Sequence, residues 1–129
     1  MKHFAIPVPI LLCLAACSTI NAISESDRTL PFACGETVVV GTLSNKVAHK
    51  TVPIEGDLIG HGWMEANLHV RRNVHGDHLS GDVPVRYFAH TYMREDKRFM
   101  FVLGRDDVGY KIETAQLMSV KPQAVSDCR

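Results

Sequence analysis

The sequence has no net charge: 14 lysines and arginines face 14 aspartates and glutamates. A balanced chain projects no field that would draw a polyanion, so a nucleic-acid partner is not expected. No apolar run approaches the roughly 20 residues that a membrane-spanning helix needs. Beyond the N-terminal segment no stretch keeps a 3.6-residue apolar period over three turns, which excludes a helical bundle. Internal repeats and low-complexity tracts are missing too, so a solenoid is excluded. There is no serine in a G-x-S-x-G setting and no C-x-x-C pair. With neither a nucleophile elbow nor a dithiol motif, an enzyme is not expected. What remains is a chain of 129 residues, 46% apolar and 22% charged, the size and balance of one globular domain.

The N-terminus has its own pattern. Met1-Lys2-His3 is a short basic head, and Phe4 to Ala16 is uncharged and apolar, interrupted by Pro7 and Pro9. A basic head, a short apolar run and small residues at its end make a secretory signal, so residues 1–16 are expected to be removed. Leu14-Ala15-Ala16-Cys17 resembles the lipobox of bacterial lipoproteins. That resemblance implies a diacylglycerol in thioether linkage on Cys17, cleavage before it, and acylation of the new amino terminus. Several acyl chains anchor firmly, because each buried CH2 contributes about 0.8 kcal/mol. Ser18, rather than Asp, after the cysteine implies the periplasmic face of the outer membrane. Cleavage after Ile20-Asn21-Ala22 would instead release a soluble periplasmic protein. Residues 17–30 are polar and unpatterned and read as a tether, with the folded domain at 31–129.

Four cysteines are present. Cys13 falls in the signal and Cys17 takes the lipid or is discarded, which leaves Cys34 and Cys128 in an oxidising compartment. An even remainder reads as a disulfide joining the two ends of the domain. Closing a loop of about a hundred residues stabilises by about 4–5 kcal/mol in the chain-entropy model.

The domain reads as all-β. Glu36 to Leu43 is β-branched, and Val47 to Ile54 is a short irregular strand or loop with Pro53 against a central position. Trp63 to Val74 alternates, with Met64, Ala66, Leu68, Val70 and Val74 on one face and Glu65, Asn67, His69, Arg71 and Asn73 on the other. Val83 to Met93 puts Val85, Tyr87 and Ala89 on one face. Arg98 to Gly104 is an aromatic, apolar central strand. Residues 105–109 make a hairpin turn into Tyr110–Thr114, and Leu117 to Val120 adds a last short strand. Five main strands with short connections predict a small antiparallel barrel, with a β-meander as the alternative.

VHGDHLSGDVPVRYFAH, CGETVVVGTLSN and FMFVLGRDDVGYKI resemble segments of netrin-like OB-fold domains, the module also found in tissue inhibitors of metalloproteinases. The resemblance spans about 35–120 and implies an OB-like barrel. Those inhibitors chelate zinc with an N-terminal Cys-x-Cys, which Cys34 does not match, so metalloproteinase inhibition does not carry over. The link between the third and fourth barrel strands is also short for the usual OB helix. Small periplasmic lysozyme inhibitors share the plan of lipobox, barrel and one disulfide, although their SGxxY-type motif is absent here.

Two candidate sites follow. The outward face of the long second strand carries Trp63, His69 and Arg71, with Arg86 nearby; an aromatic beside arginines is the make-up of a protein-binding hot spot. The function expected is that of a protein-binding or inhibitory module, with an envelope protein as partner, the membrane reached through the lipid, and no cofactor. The alternative is a histidine-based metal site. Seven histidines are present, and His69, His75, Asp77 and His78 could ligate zinc or copper.

Overall fold

The computed structural model describes residues 28–49 and 52–128. The expectations for the signal, for Cys17 and for most of the tether lie outside the described residues. Seven strands follow in order: β1 (Thr29–Phe32), β2 (Thr37–Ala48), β3 (Gly62–His75), β4 (Asp82–Ala89), β5 (Phe99–Arg105), β6 (Tyr110–Leu117) and β7 (Gln123–Ser126). Five of them close a barrel in the order β2-β3-β4-β6-β5. The small all-β barrel expected from the alternation is therefore present. One join departs from the antiparallel expectation: β4 pairs with β6 in parallel, through Val85↔Tyr110 and Arg86↔Lys111. A meander would have paired β4 with β5, so that alternative is corrected.

The inward side chains are those the alternation selects. Val39, Leu43, Met64, Ala66, Leu68, Val85, Tyr87, Phe101, Leu103 and Ile112 fill the barrel. Each fully buried Val, Leu or Phe contributes about 1.5–3 kcal/mol. On β2 and β5 the outward side chains are buried as well. Leu30 and Phe32 of β1 pack on Val38, Val40, Met100 and Val102, with Ala124 of β7 beside them. β1 and β7 form a parallel two-stranded ribbon laid over that wall. This is why Thr37 to Gly41 and Met100 to Leu103 are buried without alternation. Cys34 and Cys128 are bonded, with Cα atoms 5.1 Å apart, and close the ribbon across 94 residues of sequence.

Three boundaries differ from expectation. Thr29 and Leu30, assigned to the tether, belong to β1, and Leu30 is buried in the ribbon core. The strand expected at 36–43 runs on through Ala48 as β2, taking in the first two residues of the irregular piece 47–54. Its outward residues Thr42 and Ser44 are polar because they lie beyond the ribbon. Residues 118–120, expected as a strand, form a 3-10 turn.

Bulges explain where alternation fails. Val40 pairs with Arg72 and Gly41 with Val70, so Arg71 is an extra residue on β3; Val74 is extra in the same way, and Lys46 is extra on β2. Each bulge adds twist and helps bend the sheet into closure. Val74 is consequently exposed instead of joining Met64, Ala66 and Leu68. At the Arg71 bulge the two strands approach so closely that a Cβ on Gly41 would stand 2.2 Å from the His69 carbonyl oxygen.

Candidate functional site

The outer face of β3 and β4 has no ribbon over it. Pairing sets its rows: Trp63 opposite Phe88, Glu65 opposite Arg86, Asn67 opposite Pro84 and His69 opposite Asp82. At the Trp63 end the side chains form a ladder. The Arg86 guanidinium carbon lies 4.7 Å from the Trp63 ring centre. Trp63 and Phe88 are 5.3 Å apart, Phe88 stacks on His61 at 5.7 Å, and His61 meets His90 edge-on at 5.4 Å. Such cation–π and ring contacts each contribute about 0.5–1.5 kcal/mol.

Two turns hold this ladder. The Asp106 carboxylate accepts from Val108 N and Gly109 N at 2.9 and 3.1 Å, which ties the hairpin between β5 and β6. It also accepts from Arg86 Nη2 and so positions the arginine over Trp63. Burial works to raise the Asp106 pKa, but those backbone donors and the guanidinium outweigh it and hold the carboxyl below its ordinary value. With Nη2 committed, Arg86 Nε is buried and has no acceptor among the described residues. An unpaired buried donor costs about 1–3 kcal/mol, more when charged.

The second turn is the connection from β2 to β3. Asp57 accepts from Gly60 N at 2.9 Å and from His61 Nδ1 at 2.7 Å, while Asp57 N donates to the Ile54 carbonyl at 3.1 Å. The hydrogen bond from His61, then the one from Gly60 N–H, hold the Asp57 carboxyl below its usual value. Asp57 thus staples a loop whose tip, Leu58 and Ile59, is 99% and 74% exposed. Concave surface lies on both flanks of Phe88, one lined by Val52, Trp63, Lys111 and Glu113, the other by Ile54, Asp57 and His61.

Of the four residues expected on a binding face, Trp63 and Arg86 are brought together. His69 shares the face three rows away, and Arg71 stands apart as the exposed bulge residue. Phe88, His61 and the 52–61 loop were missed. The partnership of Phe88 with Trp63 depends on the register between two strands, which a single strand does not reveal.

The expected metal quartet is not assembled. The His75 ring packs on Phe32 at 4.6 Å, and Asp77 accepts a hydrogen bond from the Tyr110 hydroxyl at 2.6 Å. His69 is held between Ser44 and Asp82. No group of three or more His, Cys, Asp or Glu that could hold a metal ion occurs among the described residues. The loop spacing of His75, Asp77 and His78 was the sequence signal, and strand geometry sends those side chains to different neighbours.

Comparison with protein-family models, with curated proteins and with solved structures finds no match.

Proposed function

We propose that the chain is a lipid-anchored envelope protein, held by acylated Cys17 at the periplasmic face of the outer membrane, whose barrel binds another protein through the outer face of β3 and β4. The observation that carries the binding reading is the Arg86–Trp63–Phe88–His61 ladder. Aromatic and arginine side chains dominate binding hot spots because they offer large contact area with few torsions to freeze. The Arg86 guanidinium is partly exposed beside Trp63, so the partner would bring a carboxylate or a backbone carbonyl to its accessible edge. The apolar loop tip would extend the contact area.

An OB-like barrel is the fold reading that goes with this. The strand order and the parallel β4–β6 closure support it, since OB barrels are five-stranded Greek-key barrels. In such barrels the second and third strands, with the loops after the first and fourth, form the usual ligand face. Here those are β3, β4, the 49–61 connection and the 106–109 hairpin, which surround the ladder.

A photo-crosslinking residue at Phe88, tested in intact cells, is expected to trap one discrete protein partner, and Arg86→Ala to weaken that capture at least tenfold. Equal capture from Thr114, or no loss with Arg86→Ala, would remove the binding reading. The anchor is tested separately by mass spectrometry of the mature chain. A diacylglyceryl, N-acylated Cys17 is expected, and an unmodified Met1 terminus would refute it.

A further inference from the structure

At the opposite end of the same face three side chains from three adjacent strands are linked. Ser44 on β2 lies with Oγ 2.9 Å from His69 Nε2 on β3. His69 Nδ1 in turn is hydrogen-bonded to Asp82 Oδ1 on β4. The two ring nitrogens therefore serve different partners, and the protonation pattern follows. An ionised carboxylate can only accept, so Nδ1 carries the proton and donates to Asp82. In the neutral imidazole Nε2 is then left with its lone pair, and the Ser44 hydroxyl donates to it. A carboxylate fixing the imidazole tautomer and an imidazole poised to take a hydroxyl proton are the working parts of a serine nucleophile, which is recognised by geometry and not by sequence order.

The surroundings suit that chemistry. Each member sits on a strand of the closed barrel: His69 is paired on both sides, to Thr42 and Asp82, and Ser44 is paired to Asn67, so the three backbones are held in register by β3. Asn67 is the direct cross-strand partner of Ser44, with Cβ atoms about 4.5–5.5 Å apart in such pairs. Its amide can donate to an oxyanion formed at Ser44. The His69 and Asp82 side chains are 35% and 59% exposed, so substrate reaches them without movement of a lid. One row further along lies a concavity lined by Lys46, Glu65, Pro84, Arg86, Val108 and Tyr110, which offers an aliphatic or aryl arm a berth.

The geometry points to a hydrolytic site for carboxylic esters, with Ser44 as nucleophile, His69 as general base and acid, and Asp82 as the residue positioning His69. Ser44 Oγ bonds to the ester carbonyl carbon as its proton passes to Nε2, and the carbonyl oxygen becomes an oxyanion beside Asn67. Collapse breaks the bond to the alcohol oxygen, which leaves with the proton from Nε2. Water then attacks the acyl–Ser44 ester and gives its proton to Nε2. Ser44 takes that proton back as the acid departs. Ester and water become acid and alcohol, and no other reactant is needed. This site does not depend on the partner-binding reading.

The test is covalent labelling of the purified full chain with a fluorophosphonate, with the adduct mapped by mass spectrometry, alongside hydrolysis of p-nitrophenyl butyrate. The expected adduct is on Ser44 and not on exposed Ser80. Ser44→Ala abolishes the adduct and the hydrolysis, and His69→Gln slows both by about 100-fold or more, the contribution of a general base. Asp82→Asn slows both and distorts the pH profile, because an amide no longer enforces the Nδ1–H tautomer. Mapping on the unaltered chain needs no variant to fold. No adduct at Ser44, or an adduct formed as fast in His69→Gln, would overturn the proposal.

Discussion

Along β2 and β5 both faces of the barrel wall are occupied, the inner by the core and the outer by the β1–β7 ribbon; along β3 and β4 only the inner face is. Under the ribbon, Thr37 to Gly41 and Met100 to Leu103 are spent on packing, and these stretches are buried without alternation. The bare wall alternates from Trp63 to Val70 and through β4; its outward positions hold an arginine over a tryptophan at one end and, at the other, a histidine and an aspartate linked to Ser44 at the uncovered end of β2. Stability and chemistry are thus divided between opposite sides of one cylinder. Substitutions on the two sides should have separable effects.

The largest effect is expected at Phe101, fully buried on the covered wall. Phe101→Ala should lower unfolding free energy by about 3–5 kcal/mol, read as a fall in the urea midpoint at unchanged slope. A loss below 1 kcal/mol would mean that this wall is not the stabilising one. Removing the disulfide, as Cys34→Ser with Cys128→Ser, should cost about 2–5 kcal/mol. Hydrogen exchange should then quicken first in residues 29–32 and 123–126. Equal quickening in β3 and β4 would show that the two walls open together.

Smaller effects belong to the bare side and its supports. The Tyr87 hydroxyl donates to Asn45 Oδ1 at 2.5 Å and accepts from Met93 N at 2.9 Å, under the loop that follows β4. Tyr87→Phe should cost about 1–2 kcal/mol by stranding both groups. Trp63→Ala, which removes its contacts with Arg86 and Phe88, should cost about 1–2 kcal/mol in stability while abolishing partner capture, in contrast with Phe101. The smallest effect is one of pH. The folded Asp57 carboxyl is held below its usual 3.8, so its contribution to the loop is present above that value and is lost as pH falls through the folded value. A carboxyl titration by NMR should show an Asp57 midpoint below 3.8, and His61→Ala should return it upward.

Legibility in the sequence followed the same division. Alternation through Met64, Ala66 and Leu68, and through Val85 and Tyr87, is a property of one strand, and it located the barrel interior correctly. The pairing of Cys34 with Cys128 needed only a count. By contrast, β1 and β7 are four residues each, too short for a period to register, and they meet across the whole length of the domain. The bulges at Lys46, Arg71 and Val74 exist only as mismatches between two strands, so no single-strand reading could find them. Ser44 and His69 are 25 residues apart and His69 and Asp82 are 13 apart, with no motif linking them. Their meeting is a product of register.

The contact that completes the cylinder is only two rungs long, Val85 with Tyr110 and Arg86 with Lys111. Arg86 is itself one of those rungs, and its side chain reaches across to Asp106 on the far bank. A molecule that grips the guanidinium therefore presses on the clasp of the fold as well as on its surface. Occupancy of that face should raise the melting temperature with ligand concentration, because only the closed form offers the grip.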